Sequence, residues 1–320
     1  MKARFLIPFC VSFFFLEAIQ VPVTPSVSSL KEPWFTGPLL APAALTIPPG
    51  EVNIEPYLYT FANIGNYDTH WHRQKVPTFW MNLFQAFLEF GINSWLDFQI
   101  YPSLIYNYTR GAGKWVVGDI PLGFDFQLYH KTADLLHLDH ALLLQIREII
   151  PIGKYQNLNL KKRKTDIGGG GSWQTQVGLI WGALMHLKGQ HFLSFRTGVR
   201  YTLPAPTHVK NLNLYGGGAG TNGKVYPEQM IQFDTAIEIN LTQNWAFAMD
   251  VYSDWLSKTR FKGKTAVLNT TPWSMQFSLA PALEYNWNST IGIIFGSWFT
   301  IAGRNTPQFV SGIIAFNYYS

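Results

Sequence analysis

The chain has 320 residues, a formal net charge of +5, 13% charged and 16% aromatic residues, and one cysteine. Soluble domains carry roughly a quarter charged residues, so this chain is poor in charge and rich in rings, while its mean hydropathy of +0.03 is too low for a bundle of membrane helices. A single cysteine excludes a disulfide framework and a cysteine-based zinc site.

Lys2 and Arg4 precede an apolar run from Phe5 to Leu16, and Ala18 offers a small residue for cleavage. This pattern predicts a secretory signal over residues 1–19, with Cys10 inside it. The run is shorter than the roughly 20 residues a spanning helix needs. Residues 20–50 contain Pro22, Pro25, Pro33, Pro38, Pro42, Pro48 and Pro49, which discourage regular structure. The stretch from Trp34 to Pro42 is nevertheless apolar, so residues 20–50 are expected to dock as a periplasmic strap or a lumen plug.

From residue 51 to 320 the hydrophobic period is two. Ile231, Phe233, Ile237 and Ile239 alternate with Gln232, Asp234, Glu238 and Asn240, and Met275, Phe277, Leu279 and Leu283 alternate with Gln276, Ser278, Ala280 and Glu284. The same reading predicts about twelve strands, at 51–63, 78–91, 96–108, 116–130, 140–151, 173–186, 191–202, 230–241, 245–258, 274–287, 291–302 and 308–319. Many approach the 9–11 residues of a tilted membrane-spanning strand. Their connections mostly alternate long (64–77, 152–172, 204–229, 259–273) and short (92–95, 187–190, 242–244, 288–290). That sidedness predicts a transmembrane antiparallel β-barrel with long extracellular loops and short periplasmic turns.

Charge sorts on the same map. About sixteen basic residues fall on the extracellular side, against Asp68, Asp166 and Glu228. Of these, Lys161, Lys162, Arg163, Lys164, Lys258, Arg260, Lys262 and Lys264 are expected to face lipopolysaccharide phosphates. Ionised groups cannot stably face lipid, so Glu55, Glu89, Asp97, Asp119, Asp125, Arg147, Arg196, Arg200, Asp234, Glu238, Asp250 and Glu284 are expected to line the lumen. An acidic lumen predicts cation preference if it is open. Inward Tyr57, Tyr59, Phe87, Tyr101 and Trp298 would line or plug the same route. Trp80, Trp95, Trp115, Trp173, Trp245, Trp255, Trp273 and Trp287 fall near strand ends, as two interfacial girdles require. The final strand, Ile314 to Ser320, is alternating and aromatic but ends in Ser320, where closing strands read by the barrel-assembly machinery usually end in an aromatic.

The segment Ile149-Ile150-Pro151-Ile152-Gly153-Lys154-Tyr155, followed by Gly168-Gly169-Gly170-Gly171-Ser172-Trp173, resembles the outer-membrane family labelled as meta-pathway phenol-degradation proteins, which is distantly similar to hydrophobic-solute transport barrels. The resemblance covers the chain from about residue 35 to the end; it implies the barrel architecture and a transport role, and supplies no catalytic residues. Read physically, Pro151 ends ladder pairing and Gly153 permits a turn.

Other constellations carry little. His70-Trp71-His72, and His137 with Asp139 and His140, lack the further fixed ligand a metal site needs, so neither metal nor cofactor is expected. The glycine clusters 168–171 and 216–218 lack the strand-to-helix context of a phosphate loop. His130 and His186 show no partnered serine with an orienting Asn or Asp, so no enzyme is expected. The expected function is passive transport of small aromatic or apolar molecules across the bacterial outer membrane, with membrane lipid, lipopolysaccharide, a small solute and the barrel-assembly machinery as partners and no nucleic acid. The alternative is a closed structural or adhesive barrel binding lipopolysaccharide or a host surface through its basic loops.

Overall fold

The computed structural model describes residues 33–133, 138–264 and 272–320; the expected signal at 1–19, residues 20–32 of the expected strap or plug, and His137 lie outside them. The strands in chain order begin with β1 (Val52–Tyr67), β2 (Arg73–Asn93), β3 (Leu96–Ile100), β4 (Ser103–Thr109), β5 (Ala112–Val117), β6 (Ile120–Ala133) and β7 (Leu138–Ile150). After a long loop come β8 (Gln174–His186), β9 (Phe192–Pro204), and the loop strands β10 (Thr207–Lys210) and β11 (Asn222–Tyr226). The wall resumes with β12 (Met230–Asn240) and β13 (Trp245–Leu256); β14 (Arg260–Lys264) lies in the next loop, and β15 (Ser274–Asn286), β16 (Ile291–Arg304) and β17 (Thr306–Tyr319) finish the chain.

β3 and β4 make one wall strand broken at Tyr101–Pro102, and β5 and β6 make another broken at Gly118–Asp119, so the fourteen segments of the main sheet form twelve wall strands. β1 pairs antiparallel with both β2 and β17, which closes the barrel. Val52 and Ser320 exchange backbone hydrogen bonds of 2.8 and 3.0 Å, so Ser320 takes part in the seam. Closure satisfies the wall's backbone groups internally, the condition for spanning hydrocarbon.

Each strand buries one parity and exposes the other. In β12, Asp234 and Glu238 are 1% exposed, whereas Phe233, next to Asp234, is 55% exposed. Leu104, Leu128, Leu179, Val251, Ile301 and Ile314 continue the exposed apolar set around the circumference. Soluble monomers rarely expose a continuous apolar band of this extent. Exposed Trp95, Trp245 and Trp287 sit by the short turns, and exposed Trp80, Trp115, Trp173 and Trp255 lie toward the opposite rim. Trp273 lies toward the same rim, half-buried, with the Arg304 guanidinium over its ring at 3.7 Å.

All twelve expected wall strands are present, but two expected loops are shorter. The supposed loop at 64–77 is mostly hairpin: only Asp68–His72 separate β1 from β2. Burial still alternates from Ile64 to Tyr67 across a register shift between Asn63 and Gly65, but there polar Asn66 pairs with Gln74, so no apolar face marks a strand in the sequence. Likewise 109–115 reduces to Arg110-Gly111, whose φ values of 45° and 77° make the tight two-residue turn that matches strand twist. Three extracellular loops are therefore long, over residues 151–173, 205–229 and 257–273, and they fold together. β10, β11 and β14 form a separate antiparallel sheet. Leu158 N–H donates to Leu212 O (2.9 Å), and Leu214 N–H to Tyr155 O (2.8 Å), tying the first loop to the second.

Candidate functional site in the lumen

The inward face carries carboxylates that pairing alone does not neutralise. Arg196 Nη2 lies 3.2 Å from Glu238 Oε2, and Arg200 is paired with Asp234. Arg147 donates to Gln99 Oε1 (2.8 Å) and to the Tyr101 hydroxyl, and stacks over the Tyr101 ring at 4.5 Å. Glu55, Glu89 and Asp125 rely on neutral donors. Glu55 accepts from Tyr57 Oη (2.6 Å), Asn317 Nδ2 (2.8 Å) and Asn53 Nδ2 (3.0 Å). Gln99 Nε2 reaches both Glu89 (2.8 Å) and Asp125 (2.9 Å), and Gln145 Nε2 also donates to Asp125 at 3.1 Å. Asp97, fully buried, stands directly opposite Asp125 in register. Burial this deep ordinarily demands partners, yet neither Asp97 oxygen accepts a hydrogen bond among the described residues.

Two carboxylates are held by backbone from residues 33–50. The Asp250 carboxylate accepts N–H groups from Leu39 (3.1 Å), Leu40 (3.3 Å) and Ala41 (2.9 Å). Glu284 accepts the Thr36 N–H at 2.6 Å. Beyond these contacts, Thr46 N–H donates to Gln127 Oε1 at 2.9 Å. Glu284 lies on β15 and Gln127 on β6, six wall strands apart in either direction around a ring of twelve, so the segment crosses the barrel from one side to the other. Leu39 packs among Ala248, Ala280, Ala282, Ile294, Ile313 and Ala315, and Ala44 packs with Ala141, Leu143 and Ile180. Small inward side chains make these sockets, and the apolar segment fills them.

A cavity of about 480 Å³ remains between residues 35–43 and the wall, lined by Tyr57, Tyr59, Phe87, Tyr101, Arg147 and Arg200 among others. Its volume falls in the range of small-molecule sites. Tyr57 and Tyr59 stack at 5.4 Å, Tyr59 and Phe61 at 5.8 Å, and Phe61 meets Trp298 and Phe309 edge-on at 5.7 and 5.4 Å. The spacing i, i+2 along β1 puts these rings on one face, and the neighbouring strands extend the column. Trp298 Nε1 donates to Ser278 Oγ at 2.7 Å, which fixes the indole. A larger concavity of about 640 Å³ lies on the outward wall, between Leu58, Phe247, Leu283, Phe295 and Ile314.

Asp119 does not line a wall strand as expected. It sits in the break between β5 and β6, where its carboxylate accepts Gly153 N–H (2.8 Å) and Gly170 N–H (2.7 Å) and anchors the 151–173 loop. A Cβ at Gly169 would fall 2.0 Å from Asp119 Oδ1 and would push the carboxylate off its two N–H donors. The residues that carry the family resemblance thus build a loop anchor. Sequence reading also missed Gln99, Gln127, Gln145 and Asn53, whose inward parity was visible but whose role depends on partners in other strands.

The turn at 68–72 is organised by Asp68, which accepts the N–H groups of His70 (2.8 Å) and His72 (3.0 Å). These bonds hold its carboxyl below the usual range. Among the described residues no group of three or more His, Cys, Asp or Glu could hold a metal ion. His130 Nε2 lies 2.7 Å from Asp139 Oδ1, an orienting carboxylate not evident in the sequence.

The crystal structure of an outer membrane channel from Pseudomonas putida F1 superposes on 87% of this chain and 98% of its own, with a TM-score of 0.66 at 11% identity. The chain has an outer-membrane β-barrel fold. The translocator domain of autotransporter NalP from Neisseria meningitidis matches more loosely, covering 83% of this chain and 88% of its own (TM-score 0.41, 10% identity). A TodX monoaromatic hydrocarbon channel mutant covers 85% of this chain and 90% of its own (TM-score 0.38, 9% identity). No protein-family model matches the barrel, and no curated protein matches its sequence.

Proposed function

We propose that this barrel resides in the bacterial outer membrane and passes small aromatic or apolar molecules passively, with residues 33–50 of the expected 20–50 segment acting as a plug in the lumen. The aromatic column from Tyr57 to Phe309, running beside a cavity of about 480 Å³, carries the reading. Ring faces offer weak, repeated contacts of about 0.5–1.5 kcal/mol each, enough to favour aromatic solutes without trapping them. The fold shared with the Pseudomonas putida F1 outer membrane channel is consistent with passage through the wall's interior. Insertion would use the barrel-assembly machinery, and the basic loops would contact lipopolysaccharide. No enzymatic step is assigned.

The test is entry of a labelled aromatic solute and of a sugar of equal size into vesicles whose outer leaflet is lipopolysaccharide. Barrel-dependent entry of the aromatic solute, lost when the lumen is blocked by an engineered cross-link, supports the proposal. Impermeability to both solutes favours a closed structural barrel, the reading that the crossing of the lumen by residues 36–46 independently favours.

A further inference from the structure

The sheet built by β10, β11 and β14 sorts its side chains by period two. Thr207, Val209 and Val225 turn to the covered face, the two valines each 1% exposed. His208, Lys210, Lys224, Arg260, Lys262 and Lys264 are exposed on the other parity. In register, His208 stands opposite Lys224, Lys224 opposite Lys262, and Tyr226 opposite Arg260. Like charges directly opposite across strands destabilise a sheet. Among the described residues none of these lysines or Arg260 forms an ion pair. Glu228, the nearest acid along the chain, is engaged by Thr259 Oγ1 at 2.6 Å, and residues 265–271 contain no acid. Lys224 Nζ, Arg260 Cζ and Lys262 Nζ instead converge on the Tyr226 ring, at 5.7, 5.6 and 5.7 Å. Folding gains little from crowding cations in this way, whereas a multivalent anion would relieve it.

The height of this face narrows the choice of anion. β14 begins four residues after Leu256 ends β13, and Trp255 is one of the exposed indoles at the outer rim. At about 3.3 Å per residue, Arg260 lies within about 17 Å of Trp255. Interfacial tryptophans mark the headgroup boundary, so the cations begin where lipid phosphates are found. Trp255, Trp273, Lys258 and Arg260 also share a surface cavity of about 400 Å³ that joins indole to cation. A free phosphate would use only the cations; a phosphorylated glycolipid would use the cations and the indole-lined hollow together.

We propose that the exposed face of the β10–β11–β14 sheet, with the hollow at Trp255 and Trp273, binds the phosphate groups of a phosphorylated glycolipid in the outer leaflet. This deepens the lipopolysaccharide contact given above and rests on the barrel's being in the outer membrane. Arg260 supplies a planar fork for phosphate oxygens, and the lysines supply point charges.

The experiment measures binding of bisphosphorylated lipid A, its dephosphorylated form and inorganic pyrophosphate to the purified full-length barrel in detergent. The variants are Lys224→Gln/Arg260→Gln/Lys262→Gln and, as a charge control at the opposite rim beside the short turns, Lys131→Gln/Lys188→Gln. The barrel's heat-modifiable gel mobility reports folding of each variant. The expected result is that lipid A binds at least about tenfold more tightly than its dephosphorylated form, and that the triple variant loses roughly a hundredfold, at about a factor of five per cation removed. The control should lose much less. Undiminished lipid A affinity in the folded triple variant overturns the proposal, as does equal binding of the dephosphorylated lipid. Pyrophosphate binding as tightly as lipid A would instead mark a free-phosphate site and overturn the lipid assignment. Loss of aromatic entry in the vesicle assay with this lipid binding intact would remove only the transport reading.

Discussion

Ala41 and Asp250, 209 residues apart, are joined by a 2.9 Å hydrogen bond from the Ala41 N–H to the Asp250 carboxylate. Leu39 and Leu40 donate to the same carboxylate, which has no surface exposure. Three consecutive backbone N–H groups form an anion-binding concavity, so this buried acid is satisfied by the segment crossing the lumen and not by a cation.

Asp250→Ala should loosen that segment. Hydrogen bonds to a charged group contribute about 1.5–3 kcal/mol each, reduced here because released N–H groups can meet lumen water. Single-channel conductance in planar bilayers is expected to rise, with Asp250→Asn intermediate because it keeps one acceptor oxygen. Deleting residues 21–50 should raise it further. Currents unchanged in both variants would show that the segment does not limit flow.

Tyr59→Ala and Trp298→Ala each interrupt the ring column, and Trp298 also loses its bond to Ser278. At about 0.5–1.5 kcal/mol per ring contact, entry of aromatic solutes should fall several-fold. Entry of an equal-sized sugar should hold steady or rise. A parallel fall for both solutes would mean that the rings support the wall and do not select solute.

Lumenal charge predicts the sign of ion selectivity. Glu55, Glu89, Asp97, Asp125, Asp234, Glu238, Asp250 and Glu284 are buried, against the guanidinia of Arg147, Arg196 and Arg200. Reversal potentials under a salt gradient should indicate cation preference, and Arg196→Gln should strengthen it. A reversal potential of the anionic sign contradicts this assignment.

The 151–173 loop should open in acid. Burial would raise the Asp166 carboxyl, but the Lys154 ammonium at 2.8 Å and the Asn159 N–H outweigh it, and the group is held below its usual range. A depressed carboxyl stabilises the folded loop fully above about pH 4, the ordinary Asp value, and that contribution is lost as pH falls through the lower folded value. Hydrogen exchange of residues 154–167 should therefore be flat from pH 7 to about 5, after correction for intrinsic rates, and lose protection below about 4. In Asp166→Asn the acid step should vanish.

Gly169→Ala would drive a Cβ into the Asp119 carboxylate. Limited proteolysis should then cut within residues 155–170, while the heat-modifiable mobility of the barrel is retained because the wall ladders do not include that loop. Equal protease resistance in variant and parent would argue against the anchor.

The barrel wall was legible in the sequence because its determinant is local. Alternation such as Phe233, Asp234 and Ile237, Glu238 assigns each side chain to lipid or lumen without knowledge of any partner. Where paired strands carry polar residues on both sides, as at Asn66 and Gln74, no apolar face marks them and a loop is expected instead. Asp119 was assigned by parity to the lumen because nothing in its neighbourhood foretells a break at Gly118 or the approach of Gly153 and Gly170.

By itself, then, the sequence determined the amphipathic strands of the wall, their apolar exterior and their carboxylate-rich interior, since each depends on residues two positions apart. Only the tertiary structure decided which strands those carboxylates would share with the segment at 36–46, and that separate rim loops would join Lys224 to Lys262 in one basic sheet. Such contacts depend on how the ring closes and how far its rim loops reach, quantities that no local pattern of side chains encodes.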